Sequence, residues 1–584
     1  MKSKLKTSAL FYLKKAIEYA GKYFIIVIIM NIFLGVCPGL FVWALGNTVE
    51  SIIDYIKGYA GIVNIVFYSA VFCGIMLLKT AVSNINSNYI VKTKNRCSYR
   101  LIRDIISKLR KIKYRYWEDT EVYDLILRIT EEPEDTFYVF VINYIDIFRL
   151  VLNYVSLIYW LFSINKLLFF SALIVIWPLI LVGKRCGEDR YRIRKETMAE
   201  KRRAEYLSEL LSCKNAVAER NIFDYSKMLS MRYKDSYYSY KRQEFSVLFK
   251  NMIHSETIGI ITNSVLIILV LILIKSIGEG IVGIGILAGV LSQVIEFSGN
   301  MRWGIVQNFK VWTEGRCYYA DYKRIMSLEE YQGGNKAVDS EINKIELKGL
   351  SFGYTTERVI NNIDFSFEKG KTYVIVGENG SGKTTLVKLL SGLYDSYEGE
   401  LLVNDVEMRE IDGEYIKNNI SVLHQDFCIY PISIKENCLM GSSVSYDEEL
   451  YEKMGLSVVA DNLPLGKDTI IKKIDSESVE LSGGENQKIA ILRCLSKKAG
   501  IVILDEPTSS IDPVLESDIY DIFDQVGENT IKIIISHRLG IASIADTIVL
   551  MDNGRIVCSG SHDELYNKSL LYKNMYDKQK EWYV

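Results

Sequence analysis

The chain has 584 residues, which is enough for two or three domains. Hydrophobic residues make up 49% of it and charged residues 24%, while the net charge is −1. This balance gives no reason to expect nucleic-acid binding. Ten cysteines are scattered without a C-x-x-C pair, which argues against a zinc site and against a disulfide scaffold. The N-terminal stretch lacks a small-residue cleavage site, so we expect no signal peptide.

Apolar residues are concentrated in the first half of the chain, in six runs close to the length that crosses a membrane. A helix needs roughly 20 residues to cross a hydrocarbon core of about 30 Å. The predicted spans are residues 24–46, 61–83, 140–164, 167–183, 258–274 and 281–297. Buried core helices are the alternative, but so many runs in one half of the chain favour a membrane domain.

Positive charge orients these spans. Residues 84–139 carry eleven Lys and Arg and residues 184–250 carry seventeen, whereas the remaining connections contain little more than Lys57, Lys166 and Lys275. Because cytoplasmic loops are enriched in Lys and Arg, both long segments and the basic N-terminus are predicted to be cytoplasmic. We therefore expect a multi-pass protein of a bacterial cell membrane with its C-terminal part in the cytoplasm.

A short polar linker at residues 331–340 is predicted to divide the chain. It begins Tyr-Gln-Gly-Gly-Asn, and it separates a membrane domain of residues 1–330 from a cytoplasmic domain of residues 341–584. The amino-acid sequence contains no recognisable internal repeat.

The first motif of the cytoplasmic domain is Gly-Glu-Asn-Gly-Ser-Gly-Lys-Thr at residues 377–384, directly after an apolar strand. The spacing G-x-x-x-x-G-K-[ST] in this context is typical of a phosphate-binding loop. Its backbone N–H groups and the following helix attract phosphate oxygens, Lys383 can reach the β- and γ-phosphates, and Thr384 can bind Mg²⁺. The predicted nucleotide-binding residues here are Gly377, Asn379, Gly380, Ser381, Gly382, Lys383, Thr384 and Thr385.

Further motifs follow along the chain. Ser482-Gly483-Gly484-Glu485 comes first, and an apolar strand then ends in Asp505 and Glu506. Asp505 suits a Mg²⁺ position, and Glu506 suits a base that polarises water for attack on the γ-phosphate. The series ends with Ser510-Ile511-Asp512 and, after another apolar strand, Ser536-His537-Arg538.

This ordered set resembles the nucleotide-binding domain of ATP-binding cassette (ABC) proteins over roughly residues 340–580. The resemblance implies that ATP and Mg²⁺ are the cofactors and that the domain hydrolyses ATP. Glu506, His537 and Gln425 are then the catalytic residues. Thr384, Gln425 and Asp505 are the metal ligands.

The same resemblance implies roles for other residues. Tyr354 would stack on adenine, although it could equally be one more aromatic side chain. His537 would hold the γ-phosphate and the attacking water, although a lone histidine after a strand is more often structural. Asp512 is assigned to the nucleotide site. The signature Ser482, Gly483, Gly484 and Glu485 would bind ATP held by a second copy.

Six spans followed by one cassette resemble an ABC exporter half-transporter. The expected fold is a multidomain membrane protein, with an all-α domain of six transmembrane helices and an α/β P-loop NTPase domain. In this family the phosphate loop of one cassette faces the signature of another, so one copy of each implies a dimer. A homodimer is favoured and a heterodimer is possible. Residues 117–124 and 218–223 lie where helices that dock on the cassettes are expected.

The amino-acid sequences of residues 117–124, 425–427 and 479–482 resemble those of exporters of ribosomally made peptides, such as lantibiotic exporters. This implies ATP-driven export of a peptide by alternating access. A lipid or multidrug exporter is the alternative with the same machinery. A regulatory ABC protein without cargo transport is a third hypothesis, and the six spans argue against a soluble ABC protein.

Three groups of polar or charged residues need an explanation beyond the motifs. The signature ends in Glu485, where Gln is commonest, and this charge is expected to weaken ATP binding unless a cation offsets it. Within the sixth span Gln293, Glu296 and Asn300 share one helical face, so Glu296 either contacts polar or cationic parts of the cargo or pairs structurally. Asp146 and Arg149 in the third span are expected to pair with each other.

Overall fold

The computed structural model describes most of the chain in two units. The described residues are 2–59, 61–130, 133–164, 166, 181, 185–189, 192–193, 196–213, 216–278, 283–331, 333–336, 338, 341–440, 447–472, 478–507, 516, 519–523, 529–536, 541 and 544–580. The first unit comprises Met1–Lys111 and Thr120–Leu328, and the second comprises Ile112–Asp119 and Glu329–Val584.

The described residues of the first unit form long helices. In chain order, and including the short α4 of the second unit, the helices are α1 (Lys2–Ala20), α2 (Lys22–Ile56), α3 (Ile62–Leu109), α4 (Arg115–Glu118), α5 (Thr120–Thr130), α6 (Pro133–Ile164), α7 (Met198–Ser212), α8 (Val217–Ile222), α9 (Ser226–Gly278) and α10 (Ile284–Met326).

Three described helices are long and apolar enough to cross a membrane. They are α2, α3 and the part of α6 from Val139–Ser163, and they correspond to the first three predicted spans. A shorter apolar helical stretch, Ile284–Gln293, begins α10 where the sixth span is predicted. The fifth predicted span lies within the continuous helix α9. The fourth, residues 167–183, lies outside the described residues except for Leu181.

Glycines allow α2 and α10 to pack in backbone contact. A Cβ atom on Gly285 would lie 2.0 Å from the carbonyl oxygen of Gly46 and 2.9 Å from the backbone nitrogen of Glu50. Side chains larger than hydrogen therefore cannot be accommodated at Gly285 without moving a helix. Small residues serve this purpose in membrane domains, where close van der Waals contact replaces the hydrophobic effect between helices.

The predicted intramembrane charges are paired. Arg149 lies 3.0 Å from Asp146 on the same helix, which confirms the expected pair. The carboxylate of Glu296 lies 3.6 Å from the ammonium of Lys79 on α3 and accepts a hydrogen bond from Gln293 at 3.2 Å. The side chain of Asn300 lies outside the described part of the structure.

The second unit is an α/β domain. Its strands are β1 (Lys344–Phe352), β2 (Ile360–Glu368), β3 (Thr372–Val376), β4 (Glu398–Val403), β5 (Val406–Glu407), β6 (Ile420–Leu423), β7 (Ile501–Asp505), β8 (Ile531–Ile535), β9 (Thr547–Asp552) and β10 (Arg555–Gly560). Its remaining described helices are α11 (Lys383–Leu390), α12 (Gly413–Asn419), α13 (Ile434–Leu439), α14 (Glu448–Lys453), α15 (Leu456–Asp461), α16 (Gly483–Leu495), α17 (His562–Lys568) and α18 (Leu570–Lys580).

The main sheet has the strand order β10-β9-β3-β8-β7-β6. The four pairings between neighbouring strands from β9 to β6 are parallel, and β10 pairs with β9 in antiparallel orientation at the edge. Every residue of β3, β7 and β8 is buried. Parallel strands that are covered on both faces need apolar side chains on both, which explains why these strands are continuous apolar runs in the sequence. A second, antiparallel sheet has the order β2-β1-β4-β5.

Part of the predicted linker is bonded to this domain. Lys336 pairs with Ile411 and Gly334 with Asp412 in isolated backbone bridges. The ammonium of Lys336 lies 2.5 Å from the carboxylate of Glu410. The described residues of the predicted linker are therefore held against the α/β domain.

Candidate functional site

The predicted site residues meet at one edge of the main sheet. The phosphate loop follows β3, Ser536 follows β8, and Asp505 and Glu506 end β7. Because β8 lies between β3 and β7, the carboxyl ends of three parallel strands deliver these residues side by side. In open parallel sheets, this edge is where ligands bind. Gln425, which is exposed and follows the neighbouring strand β6, lies at the same edge.

The phosphate loop needs glycine at two turns. Gly380 has φ 82° and Gly382 has φ 100°, a backbone conformation that other residues rarely adopt. Gly382 is also the N-cap of α11, and a Cβ atom there would come within 3.2 Å of the carbonyl oxygen of Val359. The loop therefore points backbone N–H groups and the start of a helix towards the same space, as a phosphate site requires.

Lys383 is buried and bonded to its own loop. Its ammonium donates to the carbonyl oxygens of Gly377 at 2.9 Å and Glu378 at 2.8 Å. Burial lowers the pKa of Lys383, and the nearby carboxylates of Glu506 and Asp505 oppose that shift. The Lys383 side chain is therefore held by the loop and is also under the electrostatic influence of the carboxylates at the end of β7.

Asp505 has the properties of a cation ligand. It is 1% exposed, and among the described residues no donor reaches its carboxylate oxygens in ordinary hydrogen-bond geometry, although the Thr384 side chain is near enough to act on the Asp505 pKa. Burial, followed by the like charge of Glu506, raises the pKa of Asp505 to about 6, against the opposing effects of Thr384 and Lys383. Buried carboxylate oxygens without donors are costly unless a cation accompanies them. With the Thr384 hydroxyl close by, these oxygens fit Mg²⁺.

Glu506 has an unusual backbone. Its φ is 51°, in the left-handed region that non-glycine residues seldom occupy, and its N–H donates to the carbonyl oxygen of Ile535 at 3.0 Å. The bond to β8 fixes the chain at this turn. Backbone strain of this kind is concentrated at functional sites, where it sets the direction of a side chain.

The signature lies at the start of another helix. Ser482 is the N-cap of α16, and Ser482 and Gly483 are exposed. Within the described residues, no hydrogen bond or ion pair joins residues 482–485 to the phosphate loop of the same chain. Two predicted site residues, His537 and Asp512, lie outside the described residues, as do Arg538 and residues 473–477.

Comparison with known proteins identifies this domain. The sequence profile of the ABC transporter family matches residues 360–509. The subtilin transport ATP-binding protein SpaT of Bacillus subtilis is 27% identical and covers 98% of this chain and 96% of its own length. The nisin transport ATP-binding protein NisT of Lactococcus lactis subsp. lactis is 27% identical and covers 97% and 95%. The chain therefore contains an ABC transporter domain, and it is homologous over nearly its whole length to bacterial transport ATP-binding proteins.

Two further comparisons extend this result. A putative multidrug export ATP-binding/permease protein of Staphylococcus aureus is 33% identical, but over 42% of the transporter and 43% of its own length. The solved structure of a bacterial Atm1-family ABC exporter with ATP bound matches the fold with a TM-score of 0.77 at 20% identity, covering 95% of the transporter and 98% of that chain. The predicted exporter-type fold, the coupling of ATP hydrolysis to transport and the membrane location are confirmed.

An aromatic cluster in the transporter surrounds the predicted adenine-stacking residue. Tyr354 is 43% exposed, its hydroxyl lies 3.1 Å from the hydroxyl of Thr385, and its ring makes edge contacts with Phe352 and Tyr394. The ammonium of Lys388 lies 5.4 Å from the centre of the Tyr354 ring. Thr385 belongs to the predicted phosphate site, so the cluster connects that site with Tyr354.

The segment Ile112–Asp119 is bonded to the same cluster. Glu118 at the end of α4 forms an ion pair of 2.5 Å with Lys388 and accepts a hydrogen bond from the Tyr394 hydroxyl. Lys113 of this segment pairs with Asp395 at 2.9 Å. The predicted docking of residues around Trp117 on the cassette is confirmed at Glu118. The second predicted docking segment places Ile222 and Phe223 at the surface of the first unit, 76% and 71% exposed.

The sequence analysis missed two parts of this region. Lys388 and Tyr394 carry no motif, and only their short distance along the chain from Lys383 could have suggested them. The second part is a cavity of about 400 Å³ between the phosphate loop and the C-terminal helix α18. It is lined by Val376, Gly377, Glu378, Asn379, Ser536, Met575 and Gln579.

Proposed function

We propose that the transporter uses ATP hydrolysis to export a ribosomally made peptide from the cytoplasm. The main support for this proposal is the length of chain over which the sequence similarity extends. The subtilin and nisin transport proteins align with 98% and 97% of the chain, so the likeness includes the membrane helices. Cargo is selected in that part, because the cassettes bind the same nucleotide whatever the cargo.

Several residues of the cassette are proposed to bind ATP. The backbone of the phosphate loop and Lys383 bind the phosphates, while Tyr354, whose ring is partly exposed, stacks on adenine. Asp512 belongs to the same site. Thr384, Gln425 and Asp505 hold Mg²⁺, which neutralises phosphate charge when it is bound.

Hydrolysis is assigned to the end of β7. Glu506 follows the buried Asp505 on a constrained backbone, which suits a base that must be held in one direction. It polarises the water that attacks the γ-phosphate. His537 is proposed to hold the γ-phosphate and that water, and Gln425 to sense the γ-phosphate.

The working unit is proposed to be a dimer of this chain. Each chain contains one phosphate loop and one signature, and the exposed Ser482 and Gly483 are available to another molecule. Two chains related by a twofold axis would form two composite sites. ATP binding closes the cassettes and opens the membrane part outward, and hydrolysis resets the cycle.

Export of a drug or lipid is the second candidate. A multidrug export relative, 33% identical over 42% of the chain, supports the drug, and this match is too short to span the whole membrane part. The two are separated by reconstituting the transporter in proteoliposomes and measuring ATPase stimulation and cargo uptake. The probes are a modified precursor peptide, a cationic dye and a fluorescent lipid, with Glu506→Gln as the control without turnover. Stimulation and uptake with the peptide alone support the proposal. Stimulation by the dye or lipid alone contradicts it, and ATP hydrolysis without uptake of any probe indicates a regulatory protein.

A further inference from the structure

The signature of the transporter is also a reciprocal helix cap. The hydroxyl of Ser482 donates to a carboxylate oxygen of Glu485 at 2.8 Å, and the Ser482 backbone N–H donates to the same oxygen at 2.7 Å. In return, the backbone N–H of Glu485 donates to the Ser482 hydroxyl at 3.3 Å. This is the capping box S-x-x-E, which satisfies the free N–H groups at the start of α16.

The cap commits the only proton of the Ser482 hydroxyl. A hydroxyl has one proton to donate, and a carboxylate is a stronger acceptor than a neutral amide oxygen. Within the described part of the chain, Glu485 forms no ion pair, so no described cation offsets its charge. The condition under which Glu485 would not weaken ATP binding, a neighbouring cation, is therefore not met among the described residues, and the carboxylate accepts hydrogen bonds from Ser482 instead.

We propose that Glu485 competes with the γ-phosphate of ATP for the Ser482 hydroxyl and so sets the ATP concentration at which the cassettes close. This rests on the proposed composite site, in which Ser482 contacts ATP held by a second copy of the chain. To bind the phosphate, the hydroxyl must turn its proton away from Glu485. The carboxylate then stays beside an anion of the same sign, which is unfavourable. A glutamine would retain an acceptor for the cap without this charge.

The chain contains two matched controls. Ser433 and Glu436 form the same box at the start of α13, with the hydroxyl donating at 2.9 Å. Ser561 and Glu564 form it at the start of α17. A glutamate-to-glutamine change at Glu436 therefore alters a cap of the same chemistry, including the bond from the hydroxyl to the carboxylate, outside the signature. It measures the structural cost of the substitution alone.

The test is the ATP dependence of ATPase activity for the full-length transporter in nanodiscs. Glu485→Gln should lower KM for ATP about tenfold, equivalent to ~1.4 kcal/mol. Glu485→Ala, which also removes the charge, should shift KM in the same direction. Glu436→Gln should leave KM and kcat within about twofold of the wild type. An unchanged or raised KM in both Glu485 variants overturns the proposal.

The Ser482→Ala background distinguishes competition for the hydroxyl from simple repulsion. In that background Glu485→Gln should shift KM by less than about twofold, because the hydroxyl is gone. A tenfold decrease of KM in the Ser482→Ala background would show that Glu485 does not act by competing for the hydroxyl. The assay needs no cargo, so an error in the proposed cargo does not affect it. If Glu506→Gln abolishes turnover while the Glu485 variants behave like the wild type, the hydrolytic site stands and only this inference fails.

Discussion

The carboxylate of Glu118 lies 2.5 Å from the ammonium of Lys388. Glu118 belongs to the segment Ile112–Asp119, and Lys388 lies on the helix that begins with Lys383 of the phosphate loop. Lys388 also approaches the ring of Tyr354. The segment Ile112–Asp119 lies between α3 and α5 in the sequence. One ion pair therefore connects this segment with the residues that are proposed to contact ATP.

Reversing one charge of this pair should uncouple cargo from hydrolysis. Glu118→Lys places two cations together, so we expect the cargo-stimulated part of ATPase activity to fall about tenfold. The double variant with Lys388→Glu should recover most of it, with a coupling energy of ~1 kcal/mol. Glu341→Gln, which breaks a 2.5 Å pair with Lys369 elsewhere on the cassette, is the control and should have no effect. Failure of the double variant to recover stimulation would exclude a direct role for the pair.

The same ion pair should be insensitive to pH over a wide range. Burial alone would raise the pKa of Glu118 and lower that of Lys388, but the hydrogen bonds between them reverse both effects. The pKa of Glu118 is thus below its usual 4.5 and that of Lys388 is above its usual 10.5.

The sign of each shift defines the pH window. The stabilisation from Glu118 is complete above pH 4.5 and is lost as the pH falls through its lowered pKa. The stabilisation from Lys388 is complete below pH 10.5 and is lost as the pH rises through its raised pKa. The defect of Glu118→Gln relative to the wild type should therefore be constant between pH 6 and pH 9. A defect that disappears within that interval would show that another titrating group controls the contact.

Glu506→Gln should separate ATP binding from hydrolysis. The amide retains the size of the side chain but cannot act as a base, so turnover should fall at least about 100-fold. Binding of a fluorescent ATP analogue should be retained, because the phosphate loop is untouched. Turnover like that of the wild type would overturn the assignment of Glu506.

Gly285→Ala should loosen the packing of α2 against α10. The added methyl would collide with the Gly46 carbonyl, and such overpacking typically costs about 1–3 kcal/mol. We expect the thermal midpoint in detergent to fall by several degrees, by an amount of about 2–4 °C per kcal/mol. Gly74→Ala on α3 is the matched control, since a Cβ atom there meets nothing within 4 Å. Equal midpoints for the two variants would contradict the close contact.

Glu296→Gln tests whether the membrane charges serve the cargo. Glu296 and Lys79 are 50% and 35% exposed, so each keeps a surface that a polar peptide could contact. We expect export and peptide-stimulated ATPase to fall in Glu296→Gln and in Lys79→Gln. Asp146→Asn, which breaks a pair within one helix, should leave both unchanged. If both the Glu296 and the Lys79 variants export at the wild-type level, the pair has a structural role and does not contact the cargo.

The sequence predicted the cassette better than its surroundings, for a physical reason. The phosphate loop and the strand ending at Asp505 carry spacing and burial patterns that their chemistry dictates, so the elements fall where they were expected. Glu118, Lys388 and Tyr394 meet only through tertiary packing, and nothing in their local sequence indicates it. Glu485 is instructive in another way. Its S-x-x-E spacing with Ser482 is typical of a capping box, but the same residues form the signature, so the local sequence does not separate the two roles.

Lys383 binds two carbonyl oxygens at the start of its own loop. If Lys383 binds ATP as proposed, its ammonium exchanges partners, because phosphate oxygens must take the place of the two backbone oxygens. Replacing Lys383 by alanine would remove the two hydrogen bonds that stabilise the loop together with the proposed phosphate contact. A loss of nucleotide binding in that variant would report on the shape of the loop as much as on the missing charge, so Glu506→Gln is the cleaner way to arrest the cycle.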